Sequence, residues 1–190
     1  MTAVLNAYTD AADTEEILSA TRRWLERAVI GLNLCPFAKS VFVKKQVRYA
    51  LTAASSADEL LAALEHELNL LAGTDPADLD TTLLIHPQAM TDFLDYHFFL
   101  AEVDALNRNL GYEGVFQIAS LHPQYEFAGS DPDDIANFTN RSPYPTLHLL
   151  RESSIDRAVA AFPDAAEIFE RNIETMERLG HQGWRKLWLV

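Results

Sequence analysis

Cysteine is almost missing from this chain: Cys35 stands alone among 190 residues. A single thiol excludes an internal disulfide, and with it the stapled framework of small secreted domains. Positive charge is scarce as well. Fifteen Lys and Arg face 28 Asp and Glu, a formal net charge of −13. That sign repels phosphate backbones and anionic headgroups at long range, which argues against nucleic acid and membrane as partners. A local patch, Lys39, Lys44, Lys45 and Arg48, reads as the solvated face of a strand. Long apolar runs are missing too: none approaches the roughly 20 residues that span a bilayer. The opening "MTAVLNAYTDAADTEE" has neither the basic start nor the apolar centre of a signal peptide. A cytoplasmic protein is expected, so the sequons at Asn137 and Asn140 lose their glycosylation meaning. There is no HExxH and no CxxC, so zinc has no strong signature.

What is present is a core-forming composition, 48% hydrophobic. The length suits one core and is short for two generous domains. The expected organisation is a flexible tail over residues 1–12 and a single globular domain over 13–190. From Asp13 or Thr14 the apolar residues Ile17, Ala20, Trp24, Ala28 and Leu32 recur at helical spacing. "SVFVKKQVRYAL" alternates and is β-branched, which predicts a strand. "SSADELLAALEHELNLLAG" predicts a helix with a serine cap, an acidic first turn and Gly73 as its stop. "TTLLI" reads as a strand buried on both faces. Thr91 or Asp92 then opens a helix that Gly111 closes, and "GVFQIASL" and "TLHLL" are the next strands. Ser153 and Ser154 cap a short helix ending near Phe162, and Pro163 starts the last one. The fold expected is α/β or α+β: a mixed sheet of about four strands, a parallel βαβ unit over residues 81–122, and helices packed against it.

The tripeptide HPQ closes two of these strands, at His86 and at His122. Each proline holds its histidine extended and removes a backbone donor, so strand pairing stops there. Parallel strands joined by a crossover helix end on one edge, where open α/β sheets place ligands. The two histidines are therefore expected at one edge, as an acid and base, as metal ligands, or as groups that only bond loop carbonyls. His148 is a third candidate, more fitting as a core residue; His66, His97 and His181 sit in helices at no mutual ligand spacing.

Two geometries are open to Cys35 in "GLNLCPFAK". At the end of the first helix, the negative end of the dipole leaves it an inert hydrophobe. As the cap of a turn begun by Pro36, its thiol is activated by local amides and becomes a candidate nucleophile. A long aperiodic stretch, residues 122–145, carries Tyr125, Phe127, Phe138 and Tyr144, aromatic content that argues for order. Within it "NFTNRS" packs Asn137, Thr139, Asn140, Arg141 and Ser142 together. Amides and hydroxyls beside one guanidinium suit a carboxylate or phosphate, and they also suit scaffolding of the loop itself. Asp131, Asp133 and Asp134 read as a turn followed by a helix N-terminus rather than a hard-cation site.

The stretches "GLNLCPFAK", "HPQYEFAG" and "TNRSPYPTLHLLRE" resemble a bacterial family of unknown function, DUF1415. The resemblance runs from the first helix to the last. It implies a small soluble protein with counterparts in plastids, and carries no reaction or assigned site residue. Three functions are expected in turn. The first is an enzyme acting on a small anionic metabolite, with His86, His122 and Cys35 as catalytic groups and Asn137, Thr139, Asn140, Arg141, Ser142, Tyr125 and Tyr144 around the ligand. The second is a non-catalytic ligand- or partner-binding module. The third is a protein holding a divalent transition metal through His86, His122 and Cys35.

Overall fold

The computed structural model describes residues 11–161 and 167–188. The tail expected at the N-terminus falls mostly outside these residues, and so does the Pro163 start of the last helix. Helix α1, Ala11–Trp24, begins slightly before its expected start. It passes directly into a π-helical segment, Leu25–Ile30. There the Gly31 amide reaches back five residues to Glu26 and the Leu34 amide to Val29, both at 2.9 Å. This wider winding is rare and clusters at functional sites.

The segment expected as one long strand divides in two. Its first half is a short helix α2, Ala38–Val43, and only Val47–Leu51 forms strand β1. Lys45 between them has φ 61°, a left-handed turn that no continuous strand contains. Of the basic patch, then, Arg48 alone lies on a strand, and it makes a bidentate pair with the buried Glu67 at 2.7 and 3.0 Å. Helix α3, Ala57–Ala72, has the expected cap: Ser56 accepts the Glu59 amide, and Glu59 reaches back to the Ser55 amide. Strand β2, Thr81–Ile85, is buried along its whole length, as read from its continuous apolar run. Asp92 caps helix α4, Phe93–Asn109, and strand β3 follows at Phe116–Leu121. A 3₁₀ turn, Ile135–Asn140, interrupts the long connection before strand β4, Thr146–Arg151. Helices α5, Glu152–Ala161, and α6, Ile168–Lys186, complete the chain.

The sheet is mixed, in the order β1-β2-β4-β3. β1 and β2 are parallel neighbours linked by α3, and β4 is antiparallel to both β2 and β3. The strands of the 81–122 unit therefore run in one direction, as expected, with β4 inserted between them. Two cores cover the faces. On one, Leu60, Leu64 and Leu68 of α3 and Tyr96, Phe99 and Val103 of α4 pack on Leu84, Leu147 and Leu149. On the other, Trp24 of α1 and Met176 and Trp184 of α6 pack on Leu83 and Ile85. No helix among the described residues is long and apolar enough to cross a membrane.

Helix α6 is broken at Gly180, whose φ of 61° and ψ of 171° lie in a region open essentially to glycine alone. The break aims the short end of the helix, with Trp184 and Trp188 beyond it, back towards α1. An added Cβ there would meet nothing within 4 Å, so a substitution costs backbone strain and nothing else. Gly180→Ala is expected to lower the unfolding free energy by about 1–3 kcal/mol. Urea unfolding followed by circular dichroism measures it, and an unchanged midpoint would show that the kink is not required.

Candidate functional site

The two HPQ histidines do stand at one sheet edge, where β2 and β3 both end. Their backbones share the long connection: the His86 amide bonds the Pro145 carbonyl at 3.0 Å, and the His122 amide the Asn140 carbonyl at 3.2 Å. Their side chains grip one turn. His86 Nδ1 donates to the Ala89 carbonyl at 3.0 Å, and His122 Nε2 to the adjacent Met90 carbonyl at 3.2 Å. Met90 has φ 52°, a conformation that an unbranched residue holds only when its surroundings impose it. His122 Nδ1 accepts the Gln124 amide at 3.0 Å, so both its nitrogens are used. Carbonyls only accept, which places the proton of His86 on Nδ1 and that of His122 on Nε2. His86 Nε2 is buried without a partner among the described residues.

Tyr96 lies between the rings, at 5.7 Å from His86 and 5.2 Å from His122. Its hydroxyl donates to the Thr146 carbonyl at 2.9 Å and accepts the Leu121 amide at 3.3 Å, tying β4 to β3. Burial pushes the His86 pKa down to about 4 and lowers that of His122. Both are neutral structural bases near pH 7. His148 is likewise pushed to about 4 by burial, and its Nε2 bonds the Thr81 hydroxyl at 2.8 Å.

Cys35 does not join them. Burial raises its thiol pKa, and this outweighs the opposing effect of the Phe37 and Ala38 amides. The activating amides expected from Pro36 are thus present and insufficient. Among the described residues no three His, Cys, Asp or Glu side chains are placed to hold a metal ion, so His86, His122 and Cys35 do not converge as a ligand set.

The 122–145 connection is held by its own polar groups. Asn137, wholly buried, accepts the Phe127 amide and the Ser130 hydroxyl through Oδ1 and donates to the Asp131 carbonyl through Nδ2. Asp131 accepts the Asp133 amide and Asp134 caps the 3₁₀ turn, the bland role expected of that acidic run. Tyr125 meets Phe93 at a tilt and Phe127 edge-on, and the Tyr144 carbonyl accepts the Ser142 hydroxyl at 2.6 Å. Thr139 buries a hydroxyl with no partner among the described residues, and Asn140 lends its backbone to His122. Arg141 donates Nε to the Tyr125 carbonyl and Nη2 to the Pro132 carbonyl, with its guanidinium 4.2 Å over the Phe138 ring.

Beside this loop is a cleft of about 580 Å³. Arg141, Ser142 and Phe138 form its floor, Arg23 and Trp24 of α1 with Arg27 of the π-helical segment one wall, and Trp184 of α6 with Trp188 just past it the other. None of its described lining residues is acidic. The Trp24 indole donates to the Arg141 carbonyl at 2.9 Å, and Arg27 to the Leu187 carbonyl at 2.8 Å, so the three walls are bonded to one another. Each guanidinium keeps free N–H groups, since each offers five. Arg141 and Ser142 are the residues expected from sequence that face this space. Arg23, Arg27 and the tryptophans were not anticipated. Their one signal was a pair of arginines one turn apart in a cation-poor chain, and a pair of tryptophans one turn apart near its end.

These features define an α+β protein with a mixed four-stranded sheet and an arginine and tryptophan cleft beside its carboxyl edge. The chain belongs to the family described as Protein of unknown function (DUF1415), whose model matches residues 16–186. No curated protein and no solved structure matches it.

Proposed function

We propose that this protein is a binding module for a small anion, seated in the cleft between α1, the 122–145 connection and the end of α6. One observation carries the reading. Arg23, Arg27 and Arg141 face one concave space with no described acidic residue lining it, on a chain whose net charge is −13. Asp133 and Glu126 attract Arg141 from outside the lining, but cations gathered in a cleft whose described lining holds no carboxylate, against so negative a background, favour an external carboxylate or phosphate. The cleft's size falls within the roughly 300–1,000 Å³ usual for small-molecule sites. The π-helical segment adds support, since it carries Arg27 into the wall.

The catalytic alternative has less support. Both edge histidines donate their protons to the 86–90 turn, neither lines the cleft, and burial raises the Cys35 thiol pKa. Nothing among the described lining residues is a nucleophile beyond Ser142, whose hydroxyl is already bonded to Tyr144.

Thermal-shift measurements with pyrophosphate, citrate and phosphorylated sugars test the reading. Stabilisation by at least one of these anions is expected, and Arg23→Ala with Arg27→Ala should weaken it. A charge-assisted hydrogen bond contributes about 1.5–3 kcal/mol, so each substitution should cost roughly ten- to a hundredfold in Kd. Arg23 is exposed and bonds only Ser19 among the described residues, so Arg23→Ala should fold normally. Anion responses identical in the double variant and the parent would sink the reading.

A further inference from the structure

We infer that the ligand of this cleft is a mononucleotide, a phosphoryl group joined to a flat base; the inference rests on the anion-binding reading above. A bare phosphate leaves most of about 580 Å³ empty, so the anion belongs to a larger molecule. The shape and chemistry of the remaining wall say which kind. Trp24 has spent its N–H on Arg141, and Trp184 is buried against Phe138 and Trp188 at 5.4 and 5.5 Å. Trp188 meets one aromatic ring among the described residues, that of Trp184, and remains 36% exposed. An indole left open on a cleft wall is a stacking platform, and bases of every kind present a flat face to it.

The two kinds of group come from different elements. The exposed Arg23 and half-buried Arg27 stand on one wall and the open indole, just past α6, on the other, with the Arg27 bond to the Leu187 carbonyl holding the walls together. A ligand with an anion at one end and a ring at the other spans that arrangement. The phosphoryl group meets Arg23 and Arg27, which line the cleft and have one hydrogen bond each among the described residues. The base lies on Trp188. Arg141, already stacked on Phe138 and bonded to two carbonyls, lends charge from the floor.

Calorimetric titration of the full chain with AMP, adenosine and ribose phosphate tests this. AMP is expected to bind roughly tenfold more tightly than ribose phosphate, the share that base stacking supplies. Trp188→Ala should collapse that ratio towards one, while Trp188→Phe, which keeps a ring, retains most of it. Quenching of indole fluorescence by AMP and not by ribose phosphate is expected in the parent, and this reading stands even if the alanine variant does not fold. Equal binding of ribose phosphate and AMP overturns the stacking inference and leaves the anion reading intact. Equal binding of adenosine and AMP overturns both. Pyrophosphate binding without AMP binding overturns the mononucleotide alone.

Discussion

Lowering the pH from about 6.5 to about 5 is expected to destabilise the protein steeply, before its carboxylates begin to titrate. The cause is His86. In the unfolded chain a histidine takes up its proton near pH 6.5. In the folded one, burial holds His86 neutral down to about pH 4. Between those values the unfolded state binds more protons, so stability falls as pH falls. The contribution is present in full above about pH 6.5 and gone below about pH 4. At about 1.4 kcal/mol for each pH unit, His86 alone accounts for about 3 kcal/mol across that window. His148, also pushed down to about 4, and His122 act in the same direction. An opposing effect comes from the acidic surface, since protonating carboxylates relieves the repulsion within a chain of net charge −13. That relief comes mainly nearer pH 4, which is why the upper half of the window is diagnostic. Urea midpoints measured at several pH values should drop through it, and His148→Gln, which keeps a donor for Thr81, should flatten the slope. A midpoint that stays level or rises between pH 6.5 and 5 would show that these imidazoles are not held neutral.

The same histidines mark how far the sequence could be read. Their place at one edge followed from strand–helix–strand connectivity alone, because a crossover helix returns the chain in the same direction whether or not the strands touch. That β4 would enter between β2 and β3 did not follow, since neighbour order in a sheet depends on pairings made after β3 is complete. That the imidazoles bond loop carbonyls was one of the readings the sequence left open; which carbonyls was hidden, for Ala89 and Met90 offer only what any residue has. Elements with local marks were legible: Ser56 and Asp92 cap the helices they were expected to cap. The 40–46 segment misled because its helix is too short for a period to show. Six residues of α2 bury none of their side chains fully, and the run Val41, Phe42 and Val43 imitates a strand. The cleft was the least legible feature. Arg23 and Arg27 are more than 150 residues from Trp184 and Trp188 in a chain of 190, and only packing brings them together.

Arg151→Met is expected to destabilise the protein by about 3–5 kcal/mol, the cost of losing several hydrogen bonds from a charged donor to backbone carbonyls. Arg151 is 8% exposed, at the end of β4 opposite Thr146. Its guanidinium faces carbonyls rather than a bonded carboxylate. Nη2 donates to Leu71 at 2.6 Å, Thr74 at 2.7 Å and Leu79 at 3.1 Å, and Nε also reaches Leu79. Leu71 lies in the last turn of α3, where helix carbonyls lack partners and the dipole is negative, so a cation is favoured there. Asp80 and Asp75 add longer-range attraction that partly offsets the effect of burial on its pKa. Methionine fills similar space against Phe116 but takes a donor from three carbonyls, of which the bond to Leu71 is buried and those to Thr74 and Leu79 partly so. Arg151→Lys keeps the charge and loses the planar fork, so an intermediate loss is expected. Urea unfolding measures both, and a loss below about 1 kcal/mol for methionine would mean water replaces the guanidinium. The cleft lies past the other end of β4, where the Thr146 carbonyl meets Tyr96 and the chain leads in from Arg141 and Ser142. Methionine at position 151 should therefore reduce the folded fraction while anion affinity per folded molecule holds, which separates the strand's anchor from the site it presents.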